Sequence, residues 1–295
     1  MSNILVLTDS NSGITQAEAK QLGVEVIPMP FMVNGECYYE DINLTQSQFY
    51  SLLAQDVNVS TSQPALGLLR EAFIEYLKSY DEIVYIPMSS GLSMSCYSAK
   101  ALVQEEFSDR IFVVDNQHIS VTQKRSVLDA LALVNEGYSG SEIRDMLERN
   151  KKLSSIYIMV DTLKYLRKGG RITPAVAVMG SLLKIKPILQ IHGDKLDKWK
   201  QTRTLENAKR LMLDKAAEDI LELTTVDNRK DNIYIDVAYT YDDKEALKLR
   251  DEITNRFGVE NVFVNPLSLS VSCHIGPNAL AIAVTKKTLP DYNMN

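Results

Sequence analysis

The chain has 295 residues, 45% hydrophobic and 24% charged, with a net charge of −6; this is an ordinary globular composition at about twice the commonest domain length, so two domains are expected. The acidic balance, with a pI near 5.3, excludes nucleic acid as the main partner, because that chemistry rests on clustered Lys and Arg. Cys37, Cys96 and Cys273, like His118, His192 and His274, are too few and too scattered for a disulfide framework or a metal cage.

The amino terminus reads Met1-Ser2-Asn3 and then Ile4–Leu7, with neither the basic start nor the long apolar core of a signal peptide. Ile4–Leu7, Ile83–Ile86 and Ile111–Val114 are short β-branched runs, each followed by small polar residues and then by helical periodicity. That alternation predicts a doubly wound parallel sheet. Helices are expected over Thr45–Leu53, where Thr45 and Gln48 have capping-box spacing, over Pro64–Leu77, and from Leu92 to Phe107. Such sheets bind ligands at the carboxyl edge of their strands, which here carries Thr8-Asp9-Ser10, Ser89-Ser90-Gly91 and Asp115-Asn116.

After Asn150 the pattern changes. A strand Ile156–Val160 leads into a helix that ends at Gly169-Gly170, and a second helix runs to Leu183. Ile188–His192 and Lys195–Trp199 form a hairpin around Gly193-Asp194. Helices Thr204–Leu223 and Asp242–Phe257 alternate with strands Ile233–Tyr239 and Val262–Leu267, and Ala279–Val284 is a last strand. The stretch Asn261–Thr285 lacks Asp, Glu, Lys and Arg, but its serines, asparagines and prolines leave it short of the roughly 20 apolar residues that span a bilayer. A cytoplasmic protein without a stable membrane anchor is the expectation. The expected fold is α/β in two domains, residues 1–153 around a doubly wound parallel sheet and 154–295 around a mixed sheet with helices.

Four segments carry polar chemistry. Ser60-Thr61-Ser62-Gln63-Pro64 and Ser89-Ser90-Gly91-Leu92-Ser93-Met94-Ser95 each place hydroxyls before a helix, which serves equally as plain capping and as an anion site for a carboxylate or a phosphate. Arg167-Lys168-Gly169-Gly170-Arg171 ends a helix tightly and fixes the direction of Arg171. In Cys273-His274-Ile275-Gly276-Pro277, His274 is expected in a Gly-Pro turn after a strand. Ser93, an Asp such as Asp161 or Asp236, and His274 also follow the Ser, Asp, His order of α/β-hydrolases, although Ser95 replaces the second glycine of a nucleophile elbow.

Taken in order, Leu7-Thr8-Asp9-Ser10, Thr61-Ser62-Gln63-Pro64, Ser89-Ser90-Gly91-Leu92-Ser93, Leu166-Arg167-Lys168-Gly169-Gly170-Arg171-Ile172 and His274-Ile275-Gly276-Pro277 resemble the DegV family, over residues 4 to about 285. The resemblance implies a bacterial two-domain α/β protein that holds one long-chain fatty acid between its domains. In some members it implies the acyl-carrying subunit of a fatty acid kinase, which presents the carboxylate to a separate ATP-binding subunit for acyl phosphate formation. Carried onto this chain, it makes Thr61, Ser62 and Ser93 the carboxylate's hydrogen-bond donors, with Arg171 and His274 beside it and Ser90, Gly91 and Met94 as further neighbours of the ligand. Val26, Ile27, Met29, Phe31 and Met179 are candidates to line the acyl slot, and Arg203 is the expected kinase contact. The resemblance implies no cofactor, no metal and no catalysis of the chain's own. The sequence departs from the family at Met94-Ser95, where Gly-Thr is usual, at Asn116, where Ser or Thr is, and at Asn278, where Gly is. The alternatives are a serine hydrolase built on Ser93 and His274, and a sensor of a smaller carboxylate or phosphate.

Overall fold

The computed structural model describes residues 2–171, 173, 185–193, 196–224 and 231–289. In chain order the first part holds β1 (Ile4–Asp9), α1 (Gln16–Leu22), β2 (Glu25–Ile27), β3 (Phe31–Val33), β4 (Glu36–Tyr38), α2 (Gln46–Leu53), β5 (Val59–Thr61) and α3 (Leu66–Tyr76). Then come β6 (Glu82–Ile86), α4 (Ser95–Glu106), β7 (Ile111–Val113), α5 (Val121–Asn135) and α6 (Gly140–Arg149). The remainder holds β8 (Ser154–Met159), α7 (Lys164–Lys168), β9 (Lys186–Ile191), β10 (Leu196–Thr202) and α8 (Leu205–Leu223), followed by β11 (Ile233–Tyr239), α9 (Lys244–Phe257), β12 (Val264–Pro266), α10 (Leu269–Ile275) and β13 (Leu280–Lys286).

β1 is apolar on both sides because both sides are covered. Leu5 and Leu7 pack into the layer of α3 and α4, while Val6 packs into the opposite layer with α5 and α6, which is why a parallel strand reads as a continuous hydrophobic run. The parallel sheet has the order β2-β1-β6-β7, so its connections diverge between β1 and β6 and open a crevice at their carboxyl ends. Asp9 stands in that crevice and accepts hydrogen bonds from Met88 N at 2.8 Å, Asn11 N at 3.0 Å and Gln123 Nε2 at 3.1 Å. Burial raises its pKa to about 6, and the three donors tie the β1 and β6 loops together.

The second sheet is mixed, in the order β10-β9-β8-β13-β11-β12, with β11 and β12 parallel and its other neighbours antiparallel. Its central strand, β13, alternates large and small. Leu280, Ile282 and Val284 pack under α8 and α9, whereas Ala281 and Ala283, with Ala238 of β11, face the parallel sheet. Between the sheets runs α5, against β1 and β6 on one side and β11 and β13 on the other. Its Arg125 donates to both oxygens of Asp236 on β11 at 2.8 and 2.7 Å and lies between the rings of Tyr234 and Phe263. Both charges are buried, so loss of either partner would cost about 3–5 kcal/mol.

A small antiparallel sheet, β4-β3-β5, was not evident in the sequence. Phe31 and Val33 pack there with Phe49 and Tyr50 of α2 and with Leu269 and Cys273 of α10, which seats β5 beside α10. The capping box of α2 is present, with Thr45 Oγ1 accepting from Gln48 N at 3.3 Å and Gln48 Oε1 accepting from Thr45 N at 2.9 Å.

Other boundaries shift for physical reasons. Because Val59–Thr61 is committed to β5, α3 starts at Leu66 rather than at Pro64, with Ala65 still extended. The serine loop persists to Met94 before α4 begins. The expected strand Val262–Leu267 is shortened to β12. His274 sits in the last turn of a helix and not in a turn after a strand, since Ser268 accepts from Val271 N and caps α10. The expected helix to Leu183 and Met179 lie outside the described residues.

Candidate functional site

Four of the five residues expected around a carboxylate are delivered by helix ends or the turns that precede them. Ser62 precedes α3, Ser93 precedes α4, Arg171 follows α7 and His274 ends α10; the fifth, Thr61, ends strand β5. All five line one cavity between the sheets. The volume open to the centre of a water-sized sphere is about 110 Å³. Ile156, Ile158, Ala281 and Ala283 form its mixed-sheet wall, facing Met29 and Met88. The lining is largely apolar, with these five polar side chains among it.

His274 Nε2 lies 2.9 Å from Thr61 Oγ1, and Nδ1 is buried without a partner among the described residues. Burial, reinforced by the nearby Arg171 charge, lowers the His274 pKa to about 4, so the ring is neutral at pH 7. A proton on Nδ1 would be buried with no acceptor, whereas a proton on Nε2 donates to Thr61 Oγ1. That tautomer leaves the Thr61 hydroxyl proton free for an anion in the cavity. Burial of the ring depends on Gly169: a Cβ there would stand 2.0 Å from His274 Nδ1.

The double glycine divides two tasks. Gly169 makes room for His274, and Gly170, at φ +67°, turns the chain. Gly170 N donates to Arg167 O and Arg171 N donates to Leu166 O, both at 3.2 Å, the paired bonds of a Schellman ending. Arg171 itself is exposed and donates to Gly169 O at 2.9 Å. Ser93 Oγ accepts from Ser95 N at 3.2 Å, which leaves its own proton available.

Ser90 is buried in the serine loop, Gly91 and Met94 are exposed, and none of the three lines the cavity. Val26, Ile27 and Phe31 belong to three other packed clusters, so of the described slot candidates Met29 alone reaches the cavity. Arg203 is exposed between β10 and α8. Asn11, Gln63, Ser120 and Ser270 also line the cavity and were missed. The alternation in Leu280-Ala281-Ile282-Ala283-Val284 was the available signal for the slot's small-residue wall.

The hydrolase alternative finds no support among the described residues: Asp236 is held by Arg125 and by Phe263 N at 2.9 Å, Asp161 pairs with Lys186, and no described carboxylate meets His274 Nδ1. Among the described residues no group of three or more His, Cys, Asp and Glu is placed to hold a metal ion, and no helix is long and apolar enough to cross a membrane.

Comparison with known proteins agrees with this architecture. Residues 3–287 match the model of the family described as uncharacterised protein, DegV family. The protein DegV of Bacillus subtilis is 31% identical over 283 residues, which cover 95% of this chain and 98% of the relative. Its crystal structure, described as that of a fatty acid binding protein, superposes with a TM-score of 0.85 at 30% identity, covering 97% and 100% of the two chains. A DegV family protein from Thermus thermophilus, whose structure is described by its fatty acid binding, superposes with a TM-score of 0.87 at 27% identity over 96% and 99%. The match extends from before the first strand to beyond the last, and the chain belongs to the DegV family.

Proposed function

We propose that this chain binds one long-chain fatty acid in the cavity between its sheets and acts as a carrier, not as a catalyst. The observation that carries the reading is the cavity itself: an apolar slot that ends at Thr61, Ser62, Ser93, Arg171 and His274. An ionised carboxylate taken out of water costs several kcal/mol unless donors surround it, and a neutral His274 that donates to Thr61 aims the threonine proton at that place. The acyl chain then needs only dry walls, with about 0.8 kcal/mol gained per buried CH₂. The fatty-acid binding described for the Bacillus and Thermus structures supports the same ligand class.

Residues 1–153 supply the hydroxyl side of this site and 154–295 the Arg and His side. The polar end lies toward the mouth, with Ser62 and Arg171 exposed, so the carboxylate is presented to a separate ATP-binding kinase subunit that forms the acyl phosphate, with Arg203 as a contact. The protein works in the bacterial cytoplasm and uses no cofactor. The test is equilibrium binding of palmitate and oleate to the delipidated full chain, followed by acyl phosphate formation with the cognate kinase subunit and ATP. Micromolar or tighter binding with turnover that falls in Arg203→Ala is expected; absence of binding overturns the carrier reading, and unchanged turnover in Arg203→Ala removes that contact.

A further inference from the structure

Beyond the carboxylate end, the slot contains polar atoms that an unsubstituted acyl chain does not use. Asn11, Ser120 and Ser270 line it and are only 1%, 6% and 7% exposed. The Asn11 side chain is held in one orientation, because its Oδ1 accepts from Ser268 Oγ at 2.8 Å and from Ser270 Oγ at 2.5 Å. Its amide nitrogen is thereby turned to the slot, where it donates to the thioether sulfur of Met88 at 2.8 Å, a weak acceptor for a buried amide.

Ser120 is the second, independent observation. It stands directly before α5, yet its side chain does not cap that helix, and its backbone is held at φ 57°, ψ −134°, a region that suits glycine. The Ser120 N–H donates to Asn11 O at 2.9 Å, which fixes the two residues side by side. The Ser120 hydroxyl makes no hydrogen bond among the described residues. A β-carbon kept in a glycine conformation, with its hydroxyl unpartnered at the wall of a binding slot, is a costly way to make a loop.

Ser270 and His274 are one turn apart on the same helix, about 6 Å along its axis. Asn11, Ser120 and Ser270 are buried whereas Ser62 and Arg171 are exposed, which sets the group inward of the carboxylate end, within reach of the first several carbons of an acyl chain. We propose that these three residues form a second polar subsite for a hydroxyl on the acyl chain, so that the protein prefers a hydroxylated long-chain fatty acid to its unsubstituted parent. The Asn11 amide donates to that hydroxyl oxygen and the serine oxygens accept its proton. This rests on the fatty-acid reading above and narrows its ligand class.

The experiment is competition between stearate and a positional series of monohydroxystearates for the delipidated full chain, in wild type and in Ser120→Gly. The expected result is that at least one isomer hydroxylated in the carboxyl half binds about tenfold tighter than stearate, as two hydrogen bonds inside a dry slot warrant. Ser120→Gly should cut that ratio severalfold while raising the thermal midpoint of the unliganded protein, because glycine relieves the backbone; a residue that merely shapes the loop would not couple those two changes. Ser270→Ala, which keeps the helix, provides a second removal of an acceptor. Stearate binding with every hydroxy isomer equal or weaker overturns the subsite and leaves the carrier reading standing, with water as the partner of the polar group. Failure to bind stearate and all isomers overturns both.

Discussion

Ala281→Leu tests whether an acyl chain lies against the mixed sheet. Ala281 is on the central strand β13, opposite Ala238 on one side and Ile158 on the other, and all three line the slot. Leucine adds three carbon atoms on that wall. They extend from a buried position on the slot wall, so the unliganded variant should still fold, at no more than the overpacking cost of about 1–3 kcal/mol seen in filled interiors. The ligand loses room for about three methylenes, and at about 0.8 kcal/mol each this is 2–3 kcal/mol, a loss of roughly 30- to 150-fold in affinity for a C16 or C18 acid. Shorter acids, which leave the slot partly empty, should lose much less. Isothermal titration across a C10 to C18 series, with thermal unfolding of the unliganded variant, measures both effects. A folded Ala281→Leu protein that binds stearate as wild type does would refute the placement of the chain along β13.

Thr61→Ala and Ser93→Ala should each weaken fatty-acid binding about tenfold or more, the value of one hydrogen bond to a charged group, with circular dichroism unchanged; wild-type affinity in both would remove the carboxylate site. Gly169→Ala places a methyl group where His274 Nδ1 now stands, so the ring must leave Thr61, and binding should fall at least as far as in Thr61→Ala. Wild-type affinity in that variant would show that the Thr61–His274 contact is dispensable. Glu40 is half-buried at the start of α10, where it accepts from Leu269 N at 2.8 Å, and desolvation raises its pKa from the ordinary 4.5 to about 7. A carboxyl whose folded pKa is raised stabilises the fold below the unfolded value and loses that contribution as pH rises through the folded one. Glu40→Gln removes this, so its stability relative to wild type should increase between pH 4.5 and 7, as read by urea unfolding at pH 5 and 7.5; a flat or falling difference contradicts the assignment.

How much of this was legible in the sequence depended on whether a segment's partner was local. β1, β6 and β7 announce themselves because strands covered on both faces are uniformly apolar, and β9 and β10 because the strands that pair are neighbours in sequence. α5 was invisible for the opposite reason: wedged between two sheets, it buries Gln123, Lys124, Arg125 and Asp129, and its helical pattern is masked by side chains whose partners, such as Asp236, lie more than a hundred positions away. β3, β4 and β5 are three residues each, too short for an alternation to register. At the site, Thr61, Ser62, Ser93, Arg171 and His274 were found as motifs, but the reason for Gly169 was not. Its neighbour Gly170 performs the turn that the sequence suggests, while Gly169 is required by a histidine 105 positions later. The cavity was the hardest part to read, since a cavity is made by what is small: the alanines of β13 look like ordinary core until the sheet shows which face they occupy.

The central claim is that the purified chain carries one long-chain fatty acid. Native mass spectrometry of the full-length protein, expressed in bacteria and never exposed to detergent, measures this directly, with denaturing spectra and lipid extraction to identify the adduct. The predicted result is a single adduct with the mass of a long-chain fatty acid, lost on denaturation. A protein that emerges at its sequence mass and acquires no adduct with added palmitate or oleate, and instead hydrolyses a p-nitrophenyl acyl ester in a manner abolished by His274→Asn, would contradict the account.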